Sequence, residues 1–406
     1  MKNKIVPAVI GAVVIIGIGA LIAAFSFKGR KPEEPAAPPT EEIEDVTDVV
    51  ENPNAYEEFQ QSVEEGVTEE NLGGAGSSGI YAEYDYTSSM DTERERNGDQ
   101  VRSYLTGKWV PASIGDRRPV AVMLNNIIDA QPMCGVTAAD VLYECVVEGS
   151  LTRMMGIFEN YDDLEKIGSV RSCRNYFVYF ALEFDAIYCH YGQSAYAMPL
   201  LEQPFVNNLS GLSAEGDTVY YRTTDRVAPH NAYASAKGIK KGIEDLGYDN
   251  AYPADYHGKF TFAKDGDIIV PDSPDSYDAT RVEPGYLINK PWFEYHEDDQ
   301  KYYRFQYGGP QIDEMNGQQL AVDNLILQYC GWEHVDENYL GFNCHAGGKM
   351  TYITHGKARD GSWIRFGGDQ GHVRYFDAEG REIVLNQGKT WVEIVQDTEG
   401  DKVVVQ

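Results

Sequence analysis

From residue 5 to residue 27 the chain reads IVPAVIGAVVIIGIGALIAAFSF, with no charged position. At about 1.5 Å per helical residue this run reaches roughly 34 Å, enough to cross a hydrocarbon core of about 30 Å, so it predicts a membrane-spanning helix within an anchor at 1–31. Residues 32–108 have no apolar period; Pro, Glu, Ser and Gly dominate, as in KPEEPAAPPTEEIEDVTDVVENP and NLGGAGSSG, which predicts a disordered acidic linker. Folded patterning starts at 109. VAVMLNN reads as a buried strand just past a proline, and DVLYECVVEGSLTRMMGIFEN as two strands joined at EGS. In the first of these, Val141, Tyr143, Cys145 and Val147 share one face, while Asp140, Leu142, Glu144 and Glu148 share the other, which predicts a carboxylate-bearing, less apolar side.

NYFVYFALEFD, residues 175–185, is long and aromatic enough for a core helix, and AIYCHYG reads as the strand after it. SAKGIKKGIEDLGY alternates as an amphipathic helix with Gly247 as its stop. Helices and strands in this order predict an α/β or α+β first domain with a mixed sheet at 109–255. Near 255–285 the chain turns polar and rich in Pro and Asp. Beyond it KYYRFQY, VDNLILQY, KMTYITH, SWIRF, HVRYF and TWVEIVQ are short alternating runs between glycine turns, which predicts a β-rich second domain at 285–400.

Charge refines this outline. The net charge is -30, and residues 32–100 hold 20 acidic and 2 basic side chains, so self-repulsion extends the linker. The remaining body is also acidic, which disfavours nucleic acid, where affinity comes from cations on phosphates. Lys2 and Lys4 nearly balance Lys28, Arg30 and Lys31 across the apolar run. A short N-terminal tail favours an uncleaved anchor with the body outside the cytoplasm; a cleaved signal peptide ending near Ala20–Ala24 is the alternative. No cysteine precedes Cys134, so a lipid-modified cysteine behind a signal peptide is excluded. The six cysteines lack any CxxC spacing, which argues against a zinc ribbon or a thioredoxin-type site. Outside the cell they could pair in 15 ways; buried free thiols acting as small hydrophobes are the favoured reading.

Candidate chemistry centres on arginine. Between Ala112 and Ala236 the chain uses seven Arg and one Lys, although the whole sequence holds 17 of each. Arg is preferred where a planar fork meets a carboxylate or phosphate, or where a cation is partly buried. Arg153 in LTRMM, Arg171 and Arg174 in SVRSCRNYF, and Arg222 and Arg226 in YYRTTDRVAPHN all adjoin apolar runs. Internal pairing with Glu144, Glu148 or Asp225 is one reading; an anion-binding pocket is the other, and one site can use both. SVRSCRN lies at the start of the predicted helix, where free N–H groups and the macrodipole favour an anion, with Ser172 or Asn175 as N-cap.

His190 and His230 are the remaining polar candidates. Lone histidines are more often satisfied structural residues, and no HExxH or clustered spacing supports a metal. Cys189 and His190, adjacent on a strand, point to opposite faces and make a poor nucleophile and base. GQSAY lacks the final glycine of a nucleophile elbow. On a strand Glu144 and Glu148 stand about 13 Å apart, beyond the roughly 5 to 9.5 Å of a glycosidase pair. Trp292, Trp332, Trp363 and Trp391 read mainly as core or cross-strand residues, with a sugar-stacking platform as the sharper alternative.

Together RPVAVMLNN, ADVLYECVVEGSLTRMMGIF, IGSVRSCRNYFVYFALEFDAIYCHYG and YYRTTDRVAPHNAY resemble the YerB family of exported bacterial lipoproteins, the DUF3048 family. DNLILQY, DGSWIRF and GREIVLNQGKTWVEIV are similar to that family's C-terminal domain. The resemblance implies an extracytoplasmic, membrane-tethered, two-domain protein of Gram-positive type bacteria whose activity is not established. The family's charged phrases fall on Glu144, Glu148, Arg153, Arg171, Arg174, His190, Arg222, His230 and Asn231. Where relatives often carry a lipidated cysteine, this chain has an apolar segment. One function is expected first, with two alternatives behind it. The first is a binding module holding an anionic or cell-wall-derived ligand through Arg153, Arg171, Ser172, Arg174, Arg222, Arg226 and Asn231. The second is a hydrolase or lyase on the same cleft, with Glu144 or Glu148 as acid/base and His190 or His230 as proton carrier. The third is a scaffold for other envelope proteins. No cofactor is implied.

Overall fold

The structure is a computed structural model and describes residues 94–406. The expected anchor, and the linker as far as residue 93, lie outside the described residues. Among the described residues no helix is long and apolar enough to cross a membrane. Residues 94–108, which composition assigns to the end of the linker, carry structure: Arg96–Asn97, Gln100–Arg102 and Trp109–Pro111 form a small antiparallel sheet.

An 11-stranded mixed sheet organises the rest. Its strands in chain order are β1 (Val120–Asn125), β2 (Val141–Val146), β3 (Thr152–Phe158), β4 (Ile187–His190) and β5 (Asn208–Ser210). They continue with β6 (Tyr277–Asp278), β7 (Asn324–Cys330), β8 (Gly347–Thr354), β9 (Lys357–Phe366), β10 (His372–Asp377) and β11 (Thr390–Gln396). The spatial order is β6-β9-β8-β7-β11-β2-β3-β1-β4-β5, with β10 also on β9. The first and second sequence segments meet inside this sheet, because β11 lies parallel to β2 from Thr390 opposite Val141 to Ile394 opposite Cys145.

Strand direction decides where the connecting loops gather. β7, β11 and β2 are mutually parallel, as are β1, β4 and β5. β3 is antiparallel to both β2 and β1, so all six of those strands run the same way and end at one edge of the sheet.

Both faces of β2 are covered, which corrects the expectation of a less apolar side. On one face Tyr143 stacks on Phe180, ring centroids 4.9 Å apart, in the helix α1 (Asn175–Leu182). Over the other lies a six-stranded sheet that includes Arg281–Glu283, Trp292–His296 and Lys301–Gln306. There Phe293 meets Trp391 edge-on at 5.3 Å. Strands buried on two faces tolerate continuous apolar sequence, as Val120–Leu124 of β1 show.

The helix expectations hold in outline. α1 starts at Asn175 but takes Arg174, not Ser172 or Asn175, as its N-cap, with no side-chain capping bond. The second helix, α2 (Ala236–Leu246), is capped by Ser235 Oγ, which accepts from Gly238 N, and stops at Gly247 with φ +66°. All six cysteines are buried free thiols. Trp363 and Trp391 are fully buried, whereas Trp292 and Trp332 are only partly so.

Candidate functional site at the carboxyl edge of the sheet

The residues singled out by sequence concentrate at the edge where the six codirectional strands end. Glu148 follows β2 on a turn whose Gly149 has φ +66°, and Arg153 sits at the start of β3, opposite Asn125. Leu124 bridges Val170, and Arg171 N donates to Met123 O at 3.1 Å, so the stretch before α1 is laid against the end of β1. His190 is the last residue of β4.

Arg174 grips Glu148 with its fork: Nε lies 3.1 and 3.0 Å from the two carboxylate oxygens, and Nη2 donates to Oε2 at 2.7 Å. Its Nη1 donates to Cys173 O at 3.0 Å. Arg153 reaches the same stretch, its Nη1 donating to Ser172 O at 2.8 Å. Both guanidiniums are almost wholly buried, while the Glu148 side chain keeps 21% of its surface open. Burial alone would raise the Glu148 carboxyl, but Arg174 and then Arg153 outweigh it and hold it below the ordinary carboxylate range. Arg171 and Ser172 are buried in the same stretch.

A stability prediction arises here. A carboxyl whose folded value is depressed contributes stability above its unfolded value and loses it as pH falls through the folded value. Glu148→Gln is therefore expected to cost about 1.5–3 kcal/mol at pH 7 and to flatten the acid limb below about pH 4.5. Urea titrations of both proteins across pH 3–7 check this; parallel pH profiles would contradict it.

His190 serves the geometry of the edge. Its Nδ1 lies 2.8 Å from Gly192 O and so carries the proton there, while Nε2 is 3.2 Å from Asn208 Oδ1. Burial lowers its pKa against these two contacts. Gly192 O also accepts from Cys173 N at 2.9 Å, so His190 helps place the segment carrying Arg174. His230 lies at the same edge, with Nδ1 2.9 Å from Asn125 Nδ2. Asn125 was not singled out by sequence; the paired asparagines closing VAVMLNN were the available signal. Ser194, whose N–H donates to Cys173 O, and Asn175 each bury a polar side-chain atom with no hydrogen-bond partner among the described residues.

Other predicted members lie elsewhere or pair among themselves. Arg222 donates to Asn231 Oδ1 at 2.7 Å and covers the Tyr191 ring at 4.5 Å, on the hairpin of Tyr220–Arg222 and Ala232–Ala234. Arg226 binds Ala130 O, Pro132 O and Glu314 Oε2 at 2.7, 2.6 and 2.8 Å, a staple between loops. Glu144 is sealed between the two sheets. It accepts from Asn126 and Asn289 Nδ2 at 2.9 and 2.7 Å and from Arg304 Nη2. Arg304 Nη1 also donates to Glu393 Oε1 at 2.8 Å, and Glu393 stands directly opposite Glu144 on β11. Burial and then Glu144 raise the Glu393 carboxyl far above its ordinary value, against Arg304, which lowers it. Sequence reasoning passed over Glu393 and Arg304, since neither belongs to a local motif.

A second buried cluster lies on the α1 face. Glu183, at the end of α1, meets Lys259 Nζ and accepts from Arg365 Nη2 at 2.6 Å, all three side chains fully buried. Burial, then Arg365 and Arg374, push the Lys259 ammonium well below its ordinary value. Among the described residues no group of three His, Cys, Asp or Glu could hold a metal ion.

Residues 105–249 match the family described as "Protein of unknown function (DUF3048) N-terminal domain". Residues 282–392 match its C-terminal counterpart, "Protein of unknown function (DUF3048) C-terminal domain". Over 306 residues the chain is 29% identical to the Bacillus subtilis (strain 168) protein named "Putative lipoprotein YerB", covering 73% of this chain and 87% of that one. The crystal structure of the YerB protein from Bacillus subtilis is similar, with a TM-score of 0.66, 27% identity, and coverage of 75% of this chain and 99% of that chain. With both family segments present, in order, and together spanning more than half of its length, this chain belongs to the DUF3048 family of YerB-like proteins.

Proposed function

We propose that the protein is a membrane-tethered, extracytoplasmic component of the cell envelope that binds an anionic, cell-wall-derived ligand at the carboxyl edge of its large sheet. The name of the Bacillus relative, a lipoprotein, and the uncharged run at 5–27 support the tethered, outward-facing placement. One observation carries the binding reading: the buried guanidiniums of Arg153 and Arg174 converge on Ser172–Arg174 at the head of α1, around the partly open Glu148 carboxylate. Open mixed sheets bind ligands beyond the carboxyl ends of their parallel strands, and a helix start adds N–H groups and positive potential. Nearby Asn175 and Ser194 supply further buried polar atoms suited to a bound oxyanion.

The test is co-sedimentation of the full-length protein, in a non-glycosidic detergent, with purified peptidoglycan sacculi. Binding is expected to weaken with rising salt and to fall about 10- to 100-fold in Arg153→Gln or Arg171→Gln, the value of one charge-assisted contact. Undiminished binding in both variants, with native circular dichroism, overturns the reading.

A further inference from the structure

A groove of about 270 Å³ opens at the same edge of the sheet. Its walls are the residues just past three neighbouring parallel strands: Gly149 and Ser150 after β2, Glu399 after β11, and Trp332 after β7. The ends of these strands are in register, with Cys330 opposite Gln396 and Ile394 opposite Cys145. Leu340 and Leu287 complete the apolar wall, Leu287 with 52% of its surface exposed. Trp332 is half-buried and fixed, since its indole N–H donates to Thr398 Oγ1 at 2.8 Å. Gln396 and the Glu399–Lys402 ion pair add polar groups to the lining.

We propose that this groove is a sugar subsite and that the ligand of the neighbouring arginine site is a glycan whose pyranose ring carries an acidic substituent; this rests on the anion-binding reading above. A pyranose presents an apolar C–H face and a rim of hydroxyls. A fixed indole in one groove with Gln396 and an ion pair offers a partner to each. The volume lies just below the range of small-ligand sites, about 300–1,000 Å³, which suits a sugar ring and is too small for a docked helix. A peptide cannot add to β7, β11 or β2, because each is paired on both sides. The chain itself links the groove to the arginine site at two points. Glu148, held by Arg174, precedes Gly149, and the Arg174 guanidinium lies 5.5 Å from the ring of Tyr339, next to Leu340.

The test is calorimetric titration of the full-length protein, in non-glycosidic detergent, with three probes. They are the neutral N-acetylglucosamine tetramer, the N-acetylglucosaminyl-N-acetylmuramic acid disaccharide, and D-lactate as the acid alone. The acidic disaccharide is expected to bind at least tenfold more tightly than either other probe. Trp332→Ala is expected to weaken both sugars at least tenfold and leave lactate unchanged, whereas Arg153→Gln weakens the disaccharide and lactate only. Gln396→Ala, at the polar wall, provides a second variant should Trp332→Ala fail to fold. Sugar affinities unchanged in the folded groove variants, with lactate still dependent on Arg153, overturn the sugar subsite and leave the anion site standing. Sugar binding that depends on Trp332 but not on Arg153 overturns the anion site and the joint ligand with it. Displacement of the disaccharide by an apolar peptide in preference to the sugar tetramer also overturns the proposal.

Discussion

Replacing Arg304 by methionine is expected to destabilise the folded chain by about 3–5 kcal/mol, because it strands two carboxyl groups between the sheets with no cation. Arg304, Glu144 and Glu393 are all fully buried. The guanidinium also lies 4.7 Å from the Phe293 ring and 4.6 Å from that of Trp391, so the site is apolar apart from its own polar members. Urea unfolding followed by tryptophan fluorescence reads the loss. Adding Glu144→Gln and Glu393→Gln to Arg304→Met is expected to restore more than half of it, since the cost lies in unpaired charge and not in the missing arginine itself. Glu393→Gln alone has the opposite sign. The folded chain retains a proton on Glu393 that the unfolded chain releases above about pH 4.5, so wild-type stability declines as pH rises from there toward the folded value. The glutamine variant lacks that decline and gains relative stability with rising pH. An Arg304→Met protein as stable as the parent would show that the two sheets do not depend on this cluster.

Glu183→Leu should be similarly damaging, at about 3–5 kcal/mol, through the reverse charge. Arg365 is fully buried and donates through Nε to Cys344 O and through Nη1 to Gly371 O, so its position is set by backbone on β9's flank and cannot relax toward water. Lys259 is enclosed by Tyr143, Phe184, Phe260 and Tyr375, with Nζ 5.3 to 5.6 Å from each ring centroid. Removing the one carboxylate that both cations share leaves them facing each other in an apolar cage. Glu183→Gln, which keeps the outline and a hydrogen-bond acceptor, is expected to fall between leucine and wild type. Lys259→Met is milder, since Arg365 still pairs with Glu183. The same denaturation series orders the three; a Lys259→Met loss exceeding that of Glu183→Leu would refute the shared-carboxylate account.

Much of the fold is legible where a local pattern has one physical solution. The apolar run of β1, the two strands joined at Gly149 and the aromatic helix α1 are found close to where periodicity places them, and α2 ends at the predicted glycine. The alternation along β2 tells which residues share a face, but not what covers each face. A strand reports its own two sides; it does not report a second sheet contributed by residues more than a hundred positions later. The same limit explains the different cap of α1. Ser172 and Asn175 are good caps by residue type, yet the backbone path before the helix is set by Val170 and Arg171 against β1, which leaves Arg174 at the cap position.

For the candidate site, the excess of arginine over lysine is informative, and it marks Arg153 and Arg174 as well as Arg226, whose work is to tie loops. Local sequence does not distinguish an arginine aimed at a ligand site from one that holds carbonyls, because both want a partly buried planar fork. Read alone, the chain yields most strands and both main helices, the acidic charge that disfavours nucleic acid, and the residue types able to meet an anion. Folding in three dimensions is what walls in Glu144 with Arg304 while Glu148 opens at the edge, and what sets Trp332 in a groove while Trp391 is core. The reason is that strand direction and sheet stacking are set by pairings between distant segments, and those pairings choose which side chains reach water.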